Sequence, residues 1–250
     1  MSNSLAIVTG TSSGIGAAVA GALLKKEWQV IGIARRGSVL RAENFRQLSI
    51  DLGNVTDAPA AIERQAGPVL DEGTWDRIAL VNNAATTGDL QPMETLGAAS
   101  VLQALALNSV IPMWLMGFVV RHARPDAVVR IVNVSSGLAV HPHPGVGTYC
   151  ASKAALRMAG MVLAQELTSP QRPTQSLRNA AILSYEPGVV DSEMQTSIRT
   201  QPASAFPWVG TFVNFKRQGL LVPASVPAAE IVRFLETDQA PAFSEGRLGE

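Results

Sequence analysis

The stretch that decides the fold is Leu5-Ala6-Ile7-Val8-Thr9-Gly10-Thr11-Ser12-Ser13-Gly14-Ile15-Gly16, close to the start of the chain. Its first four residues form an apolar run, which is typical of a strand that is buried on both faces. Helical spacing of apolar residues follows and continues to about Lys26, and a second strand is predicted from Gln29 to Ala34. The pattern is therefore a βαβ unit with its glycines in the first crossover.

The three glycines of this crossover predict a phosphate-binding turn. Gly10 can adopt backbone angles that are closed to other residues, while Gly14 and Gly16 let the start of the helix approach a pyrophosphate and the adjacent strand. The free N–H groups and the positive dipole end of the helix favour an anion there. The spacing is G-x-x-x-G-x-G rather than the commoner G-x-G-x-x-G. An ordinary tight loop is the alternative, and the flanking strand and helix favour dinucleotide binding.

The end of the second strand indicates which dinucleotide is bound. A site for NAD usually places an Asp or Glu here to hold the ribose hydroxyls, whereas this chain has Ala34-Arg35-Arg36. A guanidinium group pairs well with the 2′-phosphate of NADP(H). The sequence therefore favours NADP(H), with Arg35 the better candidate of the two. The alternative is a pair of solvated loop arginines.

Further strands and helices alternate along the rest of the chain. Strands are predicted at 45–50, 78–81, 128–134 and 180–184, and helices at 57–72, 96–123, 148–167 and 227–236. This alternation predicts an α/β fold: a single Rossmann-type, doubly wound parallel sheet with helices on both faces, in one domain spanning residues 1–250. Pro112 is expected to kink the helix at 96–123.

Two segments depart from this alternation. Residues 195–222 look irregular and rich in aromatic side chains, which is typical of a lid or a binding segment, and we place a substrate-binding lid at about 189–222. A small helical excursion packed on the core is the alternative. Residues 243–250 look short and poor in apolar side chains for a strand, so the sequence leaves open whether they form a seventh one.

Composition excludes several classes of partner. The chain has 20 basic and 20 acidic residues, so its net charge is zero, which argues against nucleic acid or an anionic membrane as a partner. Its single cysteine excludes an internal disulfide and fits a reducing compartment. We see no apolar run long enough to span a bilayer and no signal peptide, and we expect a cytoplasmic protein.

Tyr149-Cys150-Ala151-Ser152-Lys153 is the strongest candidate for catalysis. On a helix, a phenol and an ammonium four residues apart project from one face. A nearby fixed cation favours phenolate and lowers the pKa of the tyrosine, so the pair could exchange a proton with a carbonyl or an alcohol. The same spacing also occurs by chance on many helices.

Several polar residues near strand ends and in loops have both a functional and a structural interpretation. Asp51 could accept a hydrogen bond from an adenine amino group or could cap the following turn, and Asn82-Asn83 could bind a ligand or form a turn. Asn108 lies in the middle of a predicted helix, where asparagine is disfavoured. His141 and His143 could suggest a metal, but without cysteines or clustered carboxylates we favour a proline-stiffened loop and no metal site.

Together these pieces resemble the short-chain dehydrogenase/reductase family over nearly the whole chain. The resemblance rests on six motifs in the family's order and spacing: Thr9-Gly10-x-x-x-Gly14-x-Gly16, Asn82-Asn83-Ala84, Asn108, Ser136, Tyr149-x-x-x-Lys153 and Pro187-Gly188. Within the family the chain is similar to the sepiapterin reductase and benzil reductase branch, in Asp191-Ser192-Glu193-Met194-Gln195 and in residues 215–222.

The resemblance implies a role for each catalytic candidate. Tyr149 would be the general acid, Lys153 would depress the pKa of the tyrosine and hold the nicotinamide ribose, and Ser136 would bind the substrate carbonyl. Ser135 is the fallback for Ser136. Asn108 would bend its helix and hold a water that links Lys153 to solvent. The cofactor-binding residues would be Gly10, Ser12, Ser13, Gly14, Ile15, Gly16, Arg35, Arg36, Asp51, Leu52, Asn82, Ala84, Tyr149, Lys153, Pro187, Gly188 and Val190.

The implied function is an NADPH-dependent carbonyl reductase that acts on a small-molecule ketone or diketone, as a homodimer or homotetramer. The alternatives are an NAD(H)-linked alcohol dehydrogenase and a non-catalytic dinucleotide-binding or redox-sensing protein. In sepiapterin reductases an Asp near the end of the chain anchors the pterin amino group. Glu250 falls near that place, so the resemblance leaves open whether a pterin or another bulky carbonyl compound is the substrate.

Overall fold

The computed structural model describes residues 3–171, 177 and 179–250. Its strands are β1 (Ser4–Thr9), β2 (Gln29–Ala34), β3 (Phe45–Ser49), β4 (Arg77–Asn82), β5 (Val128–Val134), β6 (Asn179–Glu186) and β7 (Phe243–Arg247). They form one sheet in the order β3-β2-β1-β4-β5-β6-β7, and each neighbouring pair is parallel.

Helices cover both faces of this sheet. They are α1 (Gly14–Leu24), α2 (Asp57–Glu72), α3 (Ala98–Leu105), α4 (Ile111–His122), α5 (Gly147–Thr168), α6 (Glu193–Arg199), α7 (Val209–Arg217) and α8 (Ser225–Glu236). One core lies under α1 and α8, and the other lies under α2, α4 and α5. The predicted fold class is confirmed.

Strand β1 shows why the apolar run at the start of the chain becomes a central strand. Leu5 and Ile7 pack into the core under α2, α4 and α5, whereas Ala6 and Val8 pack into the core under α1 and α8. All four side chains are fully buried. Because the strand order reverses between β1 and β4, a crevice opens beyond the carboxyl ends of these strands, which is where such sheets bind ligands.

A seventh strand is present at residues 243–247, a question that the sequence left open. β7 pairs with β6 from Ile182↔Phe243 to Glu186↔Arg247. An edge strand pairs through its backbone and tolerates charged side chains, so a low apolar content does not prevent it. Glu245 of β7 forms an ion pair with Arg157 of α5, which fastens the strand to the helix beneath it.

The predicted helix at 96–123 is divided in two near Pro112. A five-residue π-helical segment, Ala106–Val110, joins α3 and α4, and Pro112 lies in the first turn of α4. Proline has no N–H, so the carbonyl of Asn108 lacks its usual donor four residues ahead. The widened turn therefore falls at Asn108 rather than at the proline.

The same stretch corrects the expectation that no apolar run could span a bilayer. Ala98–His122 is helical over 25 residues, and an 18-residue window in it has a mean hydropathy of 1.6. By length and composition it could cross a membrane. However, 56% of that window is buried inside the fold, as in the core helix of a doubly wound sheet.

The segment predicted to be irregular is largely helical, because α6 and α7 lie in it. Two of its aromatic side chains belong to a small core, in which Phe206 is fully buried and its ring tilts against that of Phe212. Tyr149 and Cys150 of α5 pack against the same cluster. The two ends of the segment meet, since Asp191 N–H donates to Val222 O and Val222 N–H donates to Val189 O, both at 2.9 Å.

Candidate active site

The glycine turn closes tightly on itself at one point and stays open at another. A Cβ on Gly16 would lie 2.4 Å from the carbonyl oxygen of Gly10, so no larger residue fits there. Gly10 has a φ of 76° and Gly14 a φ of 60°, both in the left-handed region that favours glycine. A Cβ on Gly14 would meet nothing within 4 Å, because this residue faces open space.

That open space is a cleft of about 420 Å³ between the glycine turn and α6, lined by Ser13, Gly14, Asp191, Ser192, Glu193 and Thr196. The first turn of α1 contains no acidic residue, and the side chain of Ser13 does not cap it. Backbone N–H groups at this helix end are therefore available to an anion. This donor set fits the pyrophosphate of a dinucleotide.

Thr9 holds the two central strands together at the edge of the cleft. Its buried hydroxyl donates to Val81 O at 3.2 Å and accepts from the N–H groups of Asn83 at 2.9 Å and Ala84 at 3.0 Å. Sequence reasoning assigned Thr9 no task of its own. A hydroxyl residue at the end of a buried strand is the signal that could have identified it, because a buried hydroxyl needs partners.

Asn82 lies deeper than its predicted contact with the cofactor suggests. Its side chain is only 2% exposed, and its amide donates to the side-chain oxygen of Asn133 at 2.9 Å. Its side-chain oxygen is buried and has no hydrogen-bond partner among the described residues, whereas its main chain lies at the edge of the cleft. Leu52 is likewise buried, since it is 4% exposed and belongs to the core.

The two arginines after β2 have different surroundings. Arg36 forms an ion pair with Glu193 of α6, with 2.6 Å between Nη2 and Oε2. Arg35 is exposed and has no ion-pair partner among residues 3–171, 177 and 179–250. It lines a second cleft, of about 190 Å³, together with Asp51. Asp51 also accepts a hydrogen bond from Gly53 N–H at 2.9 Å. It therefore caps its turn, which was the alternative to adenine binding in the sequence analysis.

Ser136, Tyr149 and Lys153 converge at the start of α5. Ser136 begins a 3₁₀ turn, Gly137–Ala139, and shares a hydrogen bond with Tyr149. The ammonium of Lys153 lies 5.6 Å from the ring centroid of Tyr149 and donates to Val134 O at 2.7 Å. Ser135, the fallback, is 5% exposed and its N–H donates to Tyr185 O, so Ser136 is the serine beside the tyrosine.

The pKa of Tyr149 differs from expectation. Burial raises it from 10.0 to about 12, and the hydrogen bond with Ser136 offsets only part of this rise. The prediction was that Lys153 lowers it. Burial also acts on the lysine, whose pKa falls from 10.5 to about 8. A low-polarity site disfavours both charged forms, so the phenol keeps its proton more firmly and the ammonium less firmly than in water.

Asn108 fastens a loop to the catalytic helix. Its side-chain oxygen accepts from Thr86 N–H at 2.9 Å, and its amide donates to Thr86 O at 2.7 Å and to the hydroxyl of Ser152 at 3.0 Å. Ser152 in turn donates to Tyr149 O at 2.8 Å. The side chain therefore positions the loop after β4 against α5, and the predicted water site would have to use its main-chain carbonyl.

Three further predicted residues border the site after β6. Gly188 has a φ of 69°, and Val190 is buried and bridges to Val222 at the base of the 189–222 segment. Pro187 is half-buried. His143, the possible metal ligand, packs edge-on against Trp208 at 4.5 Å between ring centroids. Within the described ranges, no three His, Cys, Asp or Glu side chains gather as metal ligands would.

A family model described as short chain dehydrogenase matches residues 4–203. The chain belongs to the short-chain dehydrogenase family. The match covers the glycine turn, the clefts and the Ser136, Tyr149 and Lys153 constellation, so the resemblance seen in the sequence is confirmed.

Known members of the short-chain dehydrogenase family support the branch as well. A benzil reductase ((S)-benzoin forming) of Bacillus cereus is 30% identical over 252 residues, which cover 98% of each chain. A sepiapterin reductase of Bos taurus is 29% identical over 263 residues, covering 96% of this chain and 92% of that protein. The structure of 4-hydroxyisoleucine dehydrogenase complexed with NADH shares the fold, with a TM-score of 0.78 over 98% of this chain and 97% of that chain at 22% identity.

As a short-chain dehydrogenase, the protein is an oxidoreductase that acts on CH–OH or C=O groups of small molecules with a nicotinamide dinucleotide. Glu193, which belongs to the quoted motif 191–195, forms the ion pair with Arg36. Glu186, which ends β6 beside Pro187, was not singled out from the sequence. An acidic residue directly before the Pro-Gly motif is the signal that could have identified Glu186.

Proposed function

We propose that this short-chain dehydrogenase is an NADPH-dependent carbonyl reductase of ketones or diketones. The observation that carries the proposal is the hydrogen bond between Ser136 and Tyr149, with the buried ammonium of Lys153 beside the tyrosine ring. A protonated phenol and a hydroxyl that point to one spot can together bind and protonate a carbonyl oxygen.

The residues divide the work as follows. The nicotinamide cofactor, when bound, supplies the hydride. Tyr149 donates its proton to the carbonyl oxygen, and its pKa of about 12 keeps that proton in place at neutral pH. Ser136 accepts from Leu138 N–H at 3.2 Å, which leaves its own O–H to donate to the same oxygen. Lys153 holds a positive charge near the phenolate that remains.

The choice of NADP(H) rests on Arg35. This side chain is free to meet a 2′-phosphate at the rim of the second cleft, and the end of β2 carries no carboxylate that would hold a ribose hydroxyl pair instead. Glycine-turn backbone groups, Ser12 and Ser13 would hold the phosphates, and the backbones of Asn82 and Ala84 would border the riboses.

The substrate side of the proposal rests on the 189–222 segment. We assign it as a lid over a single domain that spans residues 1–250. Phe206 anchors the segment in a small core, and the partly buried Phe212 and Tyr149 pack against that core. An aromatic side chain close to the tyrosine suits an aromatic or otherwise bulky carbonyl compound. Reductases of benzil and of sepiapterin among the relatives are consistent with such substrates.

Location and assembly complete the proposal. Zero net charge and a single cysteine favour the cytoplasm. Exposed apolar side chains on α3 to α5 favour a homodimer or homotetramer: Leu102, Val110, Met113, Met158 and Val162.

Replacing the tyrosine tests the mechanism. Tyr149→Phe should lower NADPH-dependent reduction of benzil by roughly 100-fold to 10,000-fold, because the general acid is lost. NADPH affinity, measured by fluorescence titration, should stay within a few-fold. The matched control is Tyr185→Phe, since Tyr185 is the other tyrosine and bonds Glu230 away from the site.

Each alternative function has its own outcome in this experiment. Equal turnover by Tyr149→Phe and the wild type contradicts the proposed mechanism. NADPH binding without oxidation of NADPH by any carbonyl compound points to a binding or sensing protein. Faster reaction with NAD⁺ and alcohols than with NADPH and ketones points to an alcohol dehydrogenase.

A further inference from the structure

Glu186 places a carboxylate beside the catalytic serine. It is the last residue of β6, directly before Pro187 and Gly188. Its Oε2 lies 3.4 Å from the position that a Cβ on Gly137 would occupy. Because Gly137 follows Ser136 directly, the carboxylate of Glu186 reaches the turn that carries the carbonyl-binding hydroxyl.

The pleat of β6 shows which face Glu186 occupies. Ile182 packs into the core that α5 covers, while Leu183 and Tyr185 pack into the core on the opposite face. Alternate residues of a strand share a face, so Glu186 lies on the side of Ile182 and α5. This is the side on which Tyr149 and Lys153 project from α5.

The carboxylate has no partner of its own in the part of the chain that the structure describes. No hydrogen bond or ion pair involves its oxygens, although the residue is half-buried. Lys153 is turned to Val134 O. Arg247, which lies next to Glu186 in register on β7, is exposed and forms no ion pair with it. The carboxylate is therefore available to a cationic ligand.

The glycine after Ser136 brings the carboxylate close to the carbonyl-binding turn. A methyl group at residue 137 would lie 3.4 Å from Oε2 of Glu186, so the carboxylate lies directly against the turn that carries Ser136. An ammonium group on a ketone held by Ser136 therefore has a carboxylate nearby.

We propose that Glu186 binds the amino group of the substrate, so that the enzyme prefers amino ketones whose ammonium lies a carbon or two from the reacting carbonyl. This inference rests on the proposed reductase function and names its substrate class. A charge-assisted hydrogen bond from an ammonium to a carboxylate is the strong kind. Such a bond would also fix which face of the carbonyl meets the cofactor.

Two ketones of nearly equal shape test the proposal. β-Aminopropiophenone and butyrophenone differ only in an ammonium group in place of a terminal methyl. With NADPH, wild-type kcat/KM should favour the amino ketone by roughly tenfold or more, which is the range for a charged hydrogen bond. Glu186→Gln, which keeps the size of the side chain, should bring the ratio of the two kcat/KM values near one.

Controls separate a specific contact from a general charge effect. Glu166→Gln removes a carboxylate from the exposed far end of α5 and should keep the wild-type ratio. A ratio near one in the wild type overturns the proposal without any variant being needed. The proposal is also overturned if Glu186→Gln lowers kcat/KM equally for both ketones and so keeps their ratio, because the residue would then have a structural role.

The proposed function is judged separately by the neutral substrates. If butyrophenone or benzil is reduced with NADPH and the amino ketone is not favoured, the result supports the reductase function and contradicts the proposed role of Glu186. If the wild type oxidises NADPH with none of the three ketones, both fall.

Discussion

Burial acts on the two ionisable catalytic side chains in opposite directions. It raises the pKa of Tyr149 to about 12 and lowers that of Lys153 to about 8. A general acid should hold its proton until the carbonyl oxygen needs it, so the raised tyrosine pKa suits reduction more than oxidation. Near neutral pH, the lysine is therefore the group whose charge changes first as pH rises.

The lowered pKa of Lys153 predicts how the rate of reduction depends on pH. Lys153 is charged below its pKa of about 8 and neutral above it, so kcat/KM should be level at lower pH and fall above about 8. Initial rates between pH 6 and 10, with NADPH and benzil, measure it. A profile that stays level to pH 10 contradicts the assignment of a charged Lys153.

The pH dependence of protein stability is an independent test of the lowered pKa of Lys153. The folded pKa of about 8 lies below the ordinary value of 10.5, so between these values the unfolded chain binds more protons. The free energy of unfolding contributed by this group therefore rises with pH in that window. Lys153→Met should lack this rise in urea titrations at pH 8 and 10.

The connection between β2 and α6 predicts how the two arginines differ. Arg36 is held by Glu193, whereas Arg35 lacks an ion pair with any described residue. Arg35→Ala should weaken NADPH binding roughly tenfold to 100-fold and NADH binding little, since only NADPH has a 2′-phosphate. Arg36→Ala is the matched control and should change the ratio of the two dissociation constants less. A larger change in Arg36→Ala would transfer the role to Arg36.

The secondary structure could be predicted where a local pattern decides it. The strand at Gln29–Ala34 and the helix at Asp57–Glu72 have the predicted bounds, because apolar spacing and turn residues mark them. β7 could not be predicted from a local pattern, since its pairing with β6 and the ion pair of Glu245 with Arg157 join distant parts of the chain. The contacts of the Asn108 side chain could not be predicted either, because Thr86 and Ser152 are distant from it in sequence.

The active site, too, was predictable only where a local motif identifies the residues. Motif spacing was enough to nominate Ser136, Tyr149 and Lys153, which the fold brings together. It could not give the direction of the tyrosine pKa shift, because burial is a property of the packed molecule. Nor could it show that the side chain of Asn82 turns into the core to meet Asn133.

The outer surface of α3 to α5 predicts self-association of the whole molecule. Met158 is 54% exposed and Val162 46%, one turn apart on α5, and Leu102 of α3 is 68% exposed. A dimer face would bury this apolar surface. Met158→Glu with Val162→Glu should convert a dimer or tetramer to a smaller species in sedimentation velocity runs.

The control for this experiment is an apolar residue elsewhere on the surface. Val39, between β2 and β3, is 81% exposed and lies apart from these helices. Val39→Glu should sediment like the wild type. A wild type that is monomeric at micromolar concentration, or a double variant that sediments unchanged, contradicts the proposed interface.

The position of Cys150 gives the molecule a natural attachment point for a probe. It is the single cysteine of the sequence, adjoins Tyr149 and packs against the aromatic cluster of the 189–222 segment. A maleimide dye therefore attaches at one position without any engineered thiol. The attachment rate measures how accessible the thiol is beneath this segment, and the emission of the attached dye reports the polarity of the surroundings of the catalytic helix.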